Sequence, residues 1–259
     1  MLLVAPPPPR VALVPNAIAF RDPQHGIMGT GWQACATSQF GCRPQGTISI
    51  TSDAGRTWTV LLRTPRPVVS VSIDGRHERA RFDDGETIGS SDGGSHWVPV
   101  VVPPGPGQYA PCPAGTTAYV VLGWALCTTQ ASTGSQGKAV YRLGSHGWRR
   151  VAYTPFAPPT GKAYGGIDMY GYPQGLAMAH DGFGIIWESR GTLYVTRNGG
   201  SHWTGLPRVA RPEIDFGMSG VALRDGVGFV ILATGGTEKR RLLETTDAGR
   251  TWRVVHVWR

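Results

Sequence analysis

The residues of this chain that could carry out acid–base catalysis lie in two irregular segments. Asp168 and Tyr170 belong to the segment 154–175, and Glu213 and Asp215 belong to the segment 206–220. Glycoside hydrolysis requires two carboxyl groups that flank the scissile bond, and a tyrosine can act as a nucleophile. Each of these four residues also fits an ordinary role as a solvated loop residue or a strand position, which is the interpretation we favour.

Aromatic residues are concentrated in the first of these segments. Tyr164, Tyr170 and Tyr172 are the candidate binding residues, with Tyr153 and Phe156 close to them in the sequence. Exposed aromatic rings supply much of the binding energy at protein interfaces. The alternative, that the rings only pack their own segment against the fold, has equal weight at this stage.

The chain has four cysteines, whose positions suggest two pairs. We predict the disulfides Cys35–Cys42, within one connecting segment, and Cys112–Cys127, between the start of one strand and the end of the next. These bonds would place the protein in an oxidising compartment, extracellular or periplasmic, whereas free thiols in a cytosolic protein are the alternative. Because no pair has the two-residue spacing of zinc ligands, we expect no metal.

Composition and charge limit the classes of partner that this chain is expected to bind. The formal charge is +8, but the basic residues are scattered, apart from short groups such as Arg149–Arg150 and 239–241. This distribution favours a solvated basic surface over a nucleic-acid site. No apolar run approaches the roughly 20 residues of a membrane span, and four prolines interrupt the apolar start, unlike a signal peptide. We expect a monomer with no cofactor, membrane span or nucleic-acid partner.

One short pattern recurs along the chain. Four copies read TSDAGRTW, SSDGGSHW, TRNGGSHW and TTDAGRTW, and a weaker fifth, RLGSHGW, ends at Trp148. In each full copy an Asp or Asn can accept backbone hydrogen bonds, a Gly supplies a positive φ, and a Trp opens the next strand. The residues assigned to these turns are Asp53, Gly55, Trp58, Asp92, Gly94, Trp97, Asn198, Gly200, Trp203, Asp247, Gly249 and Trp252.

The spacing of the copies predicts the architecture. Their tryptophans are roughly 40 to 55 residues apart, the length of one four-stranded propeller blade. Apolar strands flank each copy, and hairpins with Asp-Gly turns, as at Asp74, Asp181 and Asp225, lie upstream. A competing register starts the inner strand earlier in blades four and five, near Ile167 and Ile214.

The sequence therefore predicts an all-β chain with one propeller. A Pro-rich segment covers residues 1–15 and the propeller covers 16–259. We expect five blades, with six as the alternative. The expected blade limits are 16–64, 65–103, 104–154, 155–206 and 207–259.

On these repeats the chain resembles the Asp-box, or bacterial neuraminidase repeat, propellers, from about residue 16 to residue 259. That family includes sialidases, other glycosidases, sorting-receptor ectodomains and photosystem II assembly factors, so the resemblance implies a fold rather than one activity. Sialidases place the first of three arginines in an Arg-Ile-Pro type motif and use a Tyr–Glu pair with an Asp. The early arginines here, in Arg10-Val11-Ala12 and Arg21-Asp22-Pro23, do not match that motif.

Strand direction separates the two faces of such a propeller. The Asp boxes and inner hairpin turns share one face, whereas the long segments 102–115, 154–175 and 206–220 share the other. Long loops on a rigid scaffold are where binding residues concentrate. We predict a non-catalytic module that binds a protein or glycan partner through the long-loop face. The alternative is a glycoside hydrolase of sialidase type.

Overall fold

The computed structural model describes residues 14–31, 45–101, 111–154, 164–211, 215–235 and 239–258. Within these ranges the chain is all β, as predicted, and its one helical element is a 3-10 turn at Arg224–Gly226. No helix in the same ranges is long and apolar enough to cross a membrane. The 37 glycines and 21 prolines favour many short strands joined by turns.

The described strands form five consecutive groups, which we call sheet units one to five. Each unit is a four-stranded antiparallel meander in which sequence neighbours pair, so its internal connections are hairpins. A single bridge between Ser189 and Phe216 joins units four and five. Unit one contains β1 (Val14–Phe20), β2 (Gly26–Gly31), β3 (Gly46–Thr51) and β4 (Thr59–Thr64); unit two contains β5 (Val68–Asp74), β6 (His77–Phe82), β7 (Thr87–Ser90) and β8 (Val98–Pro99). Unit three contains β9 (Thr117–Val121), β10 (Trp124–Thr128), β11 (Lys138–Gly144) and β12 (Gly147–Tyr153). Unit four contains β13 (Tyr172–Met178), β14 (Gly184–Ser189), β15 (Tyr194–Thr196) and β16 (Trp203–Gly205); unit five contains β17 (Asp215–Ala222), β18 (Gly228–Thr234), β19 (Arg240–Thr245) and β20 (Arg253–Trp258).

Aspartates shape the inner hairpin turns. In unit one, Oδ1 of Asp22 accepts hydrogen bonds from the backbone N–H groups of Gln24 and His25, both at 2.9 Å. In unit four, Oδ1 of Asp181 accepts the N–H of Phe183 at 3.0 Å. Its other oxygen accepts the N–H of Asp225, in the inner turn of unit five, at 2.8 Å. The inner turns of these two neighbouring units are therefore tied together.

Apolar packing sets the order of the units in space. Four buried clusters hold unit two against one, one against five, five against four, and four against three. Between units one and five, for example, Phe20 stacks on Phe229 with a centroid distance of 3.9 Å. Burial of apolar surface drives such packing. In the described ranges no fifth apolar cluster joins unit two to unit three, so these units form the two ends of the row.

The four full copies of the repeated pattern form the same hydrogen-bonded turn. In unit one the Thr51 hydroxyl accepts the N–H of Gly55 at 2.9 Å and donates to Oδ1 of Asp53 at 2.8 Å. The same carboxylate oxygen accepts the N–H of Thr57 at 2.9 Å, and the Trp58 indole N–H donates to the Gly55 carbonyl at 3.0 Å. The equivalents of Thr51 and Asp53 are Ser90 and Asp92, Thr196 and Asn198, and Thr245 and Asp247. A neutral asparagine thus supports the same turn as three carboxylates.

The glycine of these turns also lies against a neighbouring unit. Gly55 has a φ of +80°, and a Cβ atom placed on it would overlap Cδ2 of Leu242 in unit five. Likewise, a Cβ atom on Gly94 would overlap Cδ1 of Leu61 in unit one. Positive φ and close approach both exclude larger side chains here.

The structure differs from the sequence expectations at several points. The weaker fifth copy is a simple hairpin, because Ser145 and His146 connect the paired residues at the ends of β11 and β12. Of the four box tryptophans, Trp203 is fully buried and the other three are half-buried. β13 starts only at Tyr172, whereas β17 starts at Asp215, so an early start of the inner strand occurs in unit five and not in unit four.

Candidate binding surface

Several connections converge at the end of units three and four that lies opposite the repeated turns. The loop 129–137 joins β10 to β11, the loop 190–193 joins β14 to β15, and residues 164–171 lead into β13. Because strands alternate in direction, these connections leave the sheets at the end away from the repeated turns. The predicted disulfide Cys112–Cys127 is confirmed and ties the residues before β9 to the end of β10. The predicted pair Cys35–Cys42 lies outside the described residues.

A buried ion pair underlies this end. Nζ of Lys138, the first residue of β11, lies 2.6 Å from Oε1 of Glu188 on β14, and both side chains are completely buried. The same ammonium group donates a hydrogen bond to the backbone carbonyl of Tyr170. Burial raises the pKa of Glu188 to about 7, although the positive charge of Lys138 acts in the opposite direction. Because buried charges must be paired and hydrogen-bonded, the backbone at Tyr170 is part of this buried arrangement.

Backbone closes directly over the Glu188 carboxylate. A Cβ atom on Gly191 would overlap Oε2 of Glu188, and one on Gly171 would clash with the Gly191 backbone and the same oxygen. Tyr194 is buried beside the pair, with the Lys138 Nζ 5.5 Å from its ring centroid. Burial raises the pKa of Tyr194 above its ordinary range, and the charges of Glu188 and Asp168 raise it further. A tyrosine that holds its proton so firmly, next to a covered carboxylate, fits a structural role.

Hydrogen bonds fasten the segment before β13 to the β10–β11 loop. The N–H of Gln136 donates to the Met169 carbonyl at 2.8 Å, and the N–H of Gly171 donates to the Gly134 carbonyl at 2.9 Å. The Tyr172 hydroxyl accepts the N–H of Gly134 at 2.7 Å. Tyr172, a predicted binding residue, therefore uses its hydroxyl group to attach this segment to the β10–β11 loop. Residues held by so many backbone hydrogen bonds lose little further entropy when a partner binds.

Two tyrosines remain exposed on this fastened segment. Tyr164 is 58% exposed and Tyr170 is 47% exposed. The ring of Tyr164 stacks on Tyr153 with a centroid distance of 5.5 Å, and the Arg150 guanidinium lies 3.9 Å above the Tyr153 ring. Backbone hydrogen bonds in both directions, at 2.8 and 2.9 Å, pair Tyr153 with Tyr164. We call Arg150, Tyr153, Tyr164 and Tyr170 the tyrosine surface.

The structure describes three of the four catalytic candidates, Asp168, Tyr170 and Asp215, and the two carboxylates among them make separate local contacts. The exposed Asp168 accepts the N–H of Tyr170 at 2.8 Å and so shapes a local turn. The Asp215 side chain is completely buried, 2.9 Å from Arg241 and 3.0 Å from the Thr234 hydroxyl. Burial raises the pKa of Asp215, but its hydrogen bonds and the Arg241 charge outweigh burial and leave this pKa lowered. Glu213 lies outside the described residues.

A cavity opens at the opposite end of the units. It has a volume of about 370 Å³ and is lined by inner turns of units one, three, four and five, including Pro23, Leu122, His180 and Arg224. Leu122 of unit three thus lies across the same cavity as Pro23 of unit one. The row of units therefore curves around a central axis.

Sequence reasoning missed Lys138, Glu188 and Tyr194, which carry the buried part of the site. One signal was available for Lys138, because the sequence has only three lysines and this one stands at the head of an apolar strand. Its partner Glu188 belongs to a different unit, so no local pattern links the two residues. Sequence reasoning also overlooked the box hydroxyls, although Thr or Ser precedes every box Asp or Asn by two positions.

Comparison with known proteins gives no family. No family model matches the sequence, and no curated protein matches it. Similar solved structures include YCF48 bound to D1 peptide, with a TM-score of 0.40, 15% identity, and coverage of 95% of this chain and 82% of that one. YCF48 from Cyanidioschyzon merolae has a TM-score of 0.38, 13% identity, and coverage of 95% and 86%. The GH74 xyloglucanase from Xanthomonas campestris has a TM-score of 0.35, 16% identity, and coverage of 93% and 38%. At these identities and TM-scores, neither a ligand nor an activity is transferred to this chain.

Proposed function

We propose that this chain is a five-bladed β-propeller of the Asp-box type and that it binds a protein partner through the tyrosine surface without catalysing a reaction. The five meander units, their row order and the shared cavity support the propeller. In this proposal each sheet unit is a blade, and the ring is open between units two and three, where the described residues form no joint apolar cluster.

The observation that carries the binding proposal is the exposure of Tyr164 and Tyr170 on a fastened backbone. Large exposed aromatic rings are costly to leave in water and are frequent energetic centres of protein interfaces. The buried ammonium group of Lys138, which pairs with Glu188, donates a hydrogen bond to the backbone carbonyl of Tyr170. A surface that is ordered before binding loses less conformational entropy when its partner binds, which favours a role in recognition.

The same geometry argues against catalysis at this end of the molecule. Asp215 is engaged with arginines, and Glu188 lies beneath backbone rather than in an open cleft. A glycosidase needs two carboxyl groups that reach one substrate bond. The disulfide Cys112–Cys127 supports a location in an oxidising compartment, extracellular or periplasmic.

Site-specific photo-crosslinking tests the binding proposal. A photoreactive phenylalanine analogue replaces Tyr164, Tyr170 or, as the control, Val254, which is 48% exposed on the outer strand β20. Irradiation in an extract of the cells that encode the protein should give the same discrete protein adduct at positions 164 and 170 and none at 254. Mass spectrometry then identifies the partner, and Tyr164→Ala with Tyr170→Ala should weaken binding of that purified partner by about tenfold or more.

Other outcomes would contradict the proposal. Adducts of equal yield at all three positions would show that the tyrosine surface is not selective. Turnover of a fluorogenic sialoside that disappears in Asp168→Asn would replace the proposal with the glycosidase alternative. Selective binding to a glycan array, lost in the two tyrosine variants, would replace the protein partner with a carbohydrate.

A further inference from the structure

One sheet face of unit two is basic and lies outside the apolar core. Along β6 the side chains alternate: Ala80 and Phe82 are buried against unit one, whereas Arg81 is exposed and Arg79 partly exposed on the other face. In the described part of the chain, neither arginine forms an ion pair or a hydrogen bond. Two unpaired guanidinium groups therefore stand side by side on one open face.

The residues around these arginines are small and mostly polar. Across the ladder, Ser72 pairs with Arg79 and Ser70 pairs with Arg81, while Thr87 on β7 lies opposite Arg81. Residues directly opposite each other in antiparallel strands point to the same face. On this face of the ladder the carboxylate is Asp74, which pairs with His77 at one end, whereas Glu78 is buried on the opposite face and Asp83 lies in the hairpin beyond the other end of β6. The centre of the face thus carries hydroxyl groups and positive charge without a neutralising acid.

The place of unit two in the row leaves this face open. Among the described residues, units one, five and four each have an apolar cluster on both sides, but unit two has one on the side of unit one alone. Polar residues on β5 and β6 fit this difference, because another sheet packed on them would remove two arginines from water without a described carboxylate partner.

We propose that this face, formed by Ser70, Ser72, Arg79, Arg81 and Thr87, binds an acidic polypeptide segment in an extended conformation. Alternate residues of a strand are roughly 6.6–6.8 Å apart, so Arg79 and Arg81 repeat with the same period as the acidic side chains at every second position of an extended peptide. Each guanidinium can hold one carboxylate through two hydrogen bonds, and the flanking hydroxyls add donors. The positive charge of the face selects an acidic segment over a neutral one.

The described residues favour a peptide over a nucleic acid. Single-stranded nucleic acids are held by aromatic side chains on which the bases stack. None of the five residues of this face is aromatic, and the face offers only two arginines for phosphate contacts. The basic face lies on unit two, whereas the tyrosine surface lies on β12 of unit three and the segment before β13, so either proposal can fail without the other.

Fluorescence anisotropy with a labelled peptide of alternating glutamate and serine tests the inference at about 50 mM salt, where charge attraction is weakly screened. The full-length protein should bind this peptide, and Arg79→Gln with Arg81→Gln should weaken binding by about tenfold or more. The matched control, Arg149→Gln with Arg208→Gln, removes the same charge from two other exposed sites and should change binding by less than about twofold. Circular dichroism of both variants checks that they fold.

The peptide sequence tests the proposed spacing. A peptide with the same number of glutamates placed at every third position should bind several-fold more weakly, because successive glutamates of the extended chain then point to opposite faces and cannot reach both arginines. Equal binding of the two peptides would show that net charge alone accounts for the interaction, and it would overturn the inference. An equal loss of binding in the control variant, or tighter binding of a single-stranded DNA oligonucleotide than of the alternating peptide, would overturn it as well.

Discussion

The hydroxyl groups that open the repeated turns should contribute more to stability than the aspartates exposed beside them. In unit one, the Thr51 hydroxyl is the acceptor for the N–H of Gly55, and both residues are buried. Thr51→Val keeps the shape of the side chain but removes this acceptor. The N–H of Gly55 is then left in a buried place without a partner.

The size of the effect follows from these contacts. Leaving a buried donor unsatisfied costs about 1–3 kcal/mol, and the lost hydrogen bond to Asp53 adds about 0.5–1.5 kcal/mol. We therefore expect Thr51→Val to lower the free energy of unfolding by about 2–3 kcal/mol. Thr57→Val is the matched control in the same turn, because its hydroxyl donates to Asp53 at 2.6 Å from an exposed position. Water can replace that bond, so we expect a loss of about 0.5–1 kcal/mol.

Urea unfolding followed by tryptophan fluorescence measures both values. The slope of the transition must be the same in the two variants and in the original protein for the free energies to be comparable. Asp53→Asn should cost less than Thr51→Val, because Asn198 supports the same turn in unit four. If Thr51→Val costs no more than Thr57→Val, the buried donor is not what stabilises the turn and the reasoning is wrong.

Three further predictions concern titration, cross-linking and close packing. Because burial raises the pKa of Glu188 from 4.5 to about 7, the folded state holds this proton more tightly. The free energy of unfolding should fall by about 3 kcal/mol as the pH rises from about 4.5 to 7. The double variant Lys138→Met with Glu188→Gln should lack this decline when its unfolding is measured over the same pH range. The same decline in that variant would contradict the assignment to Glu188. Replacing Cys112 and Cys127 by alanine opens a loop with a sequence separation of 15 and should lower the free energy of unfolding in urea by about 3 kcal/mol in oxidising buffer; an unchanged value would contradict this. Gly55→Ala, which must displace a leucine of unit five, should cost about 3–4 kcal/mol, against about 1 kcal/mol for Gly75→Ala, where φ is also positive but no atom lies nearby. Equal melting temperatures for these two variants would show that the close approach is unimportant.

Much of the local structure could be predicted because turn chemistry is short-range. In the box turns the bonded residues are at most four positions apart, so Thr51, Asp53 and Gly55 form a pattern visible in the sequence. The same holds for Asp181 in its inner turn and for the strands that flank each copy. Cys112–Cys127 could be predicted because one hairpin brings both residues to the same edge of a sheet.

The site depended on contacts that no local pattern records. Lys138 and Glu188 meet only because units three and four pack together, and that pair determines how Tyr170 is held. Of the three tyrosines predicted to bind, the structure exposes two and uses the hydroxyl of Tyr172 as an anchor. Side-chain exposure depends on what the neighbouring unit covers, so sequence alone could not distinguish them.

By itself, the sequence determined that the chain is all β and where the four repeated turns lie, whereas the predicted long loop 206–220 is in part the strand β17. Only the tertiary structure decided the order of the units, the open basic face around Arg79 and Arg81, and the buried pair beneath the tyrosine surface. The physical reason is the range of the interactions. Hydrogen bonds within a turn join near neighbours in the chain, whereas packing and charge burial join residues from different units, whose proximity exists only after folding.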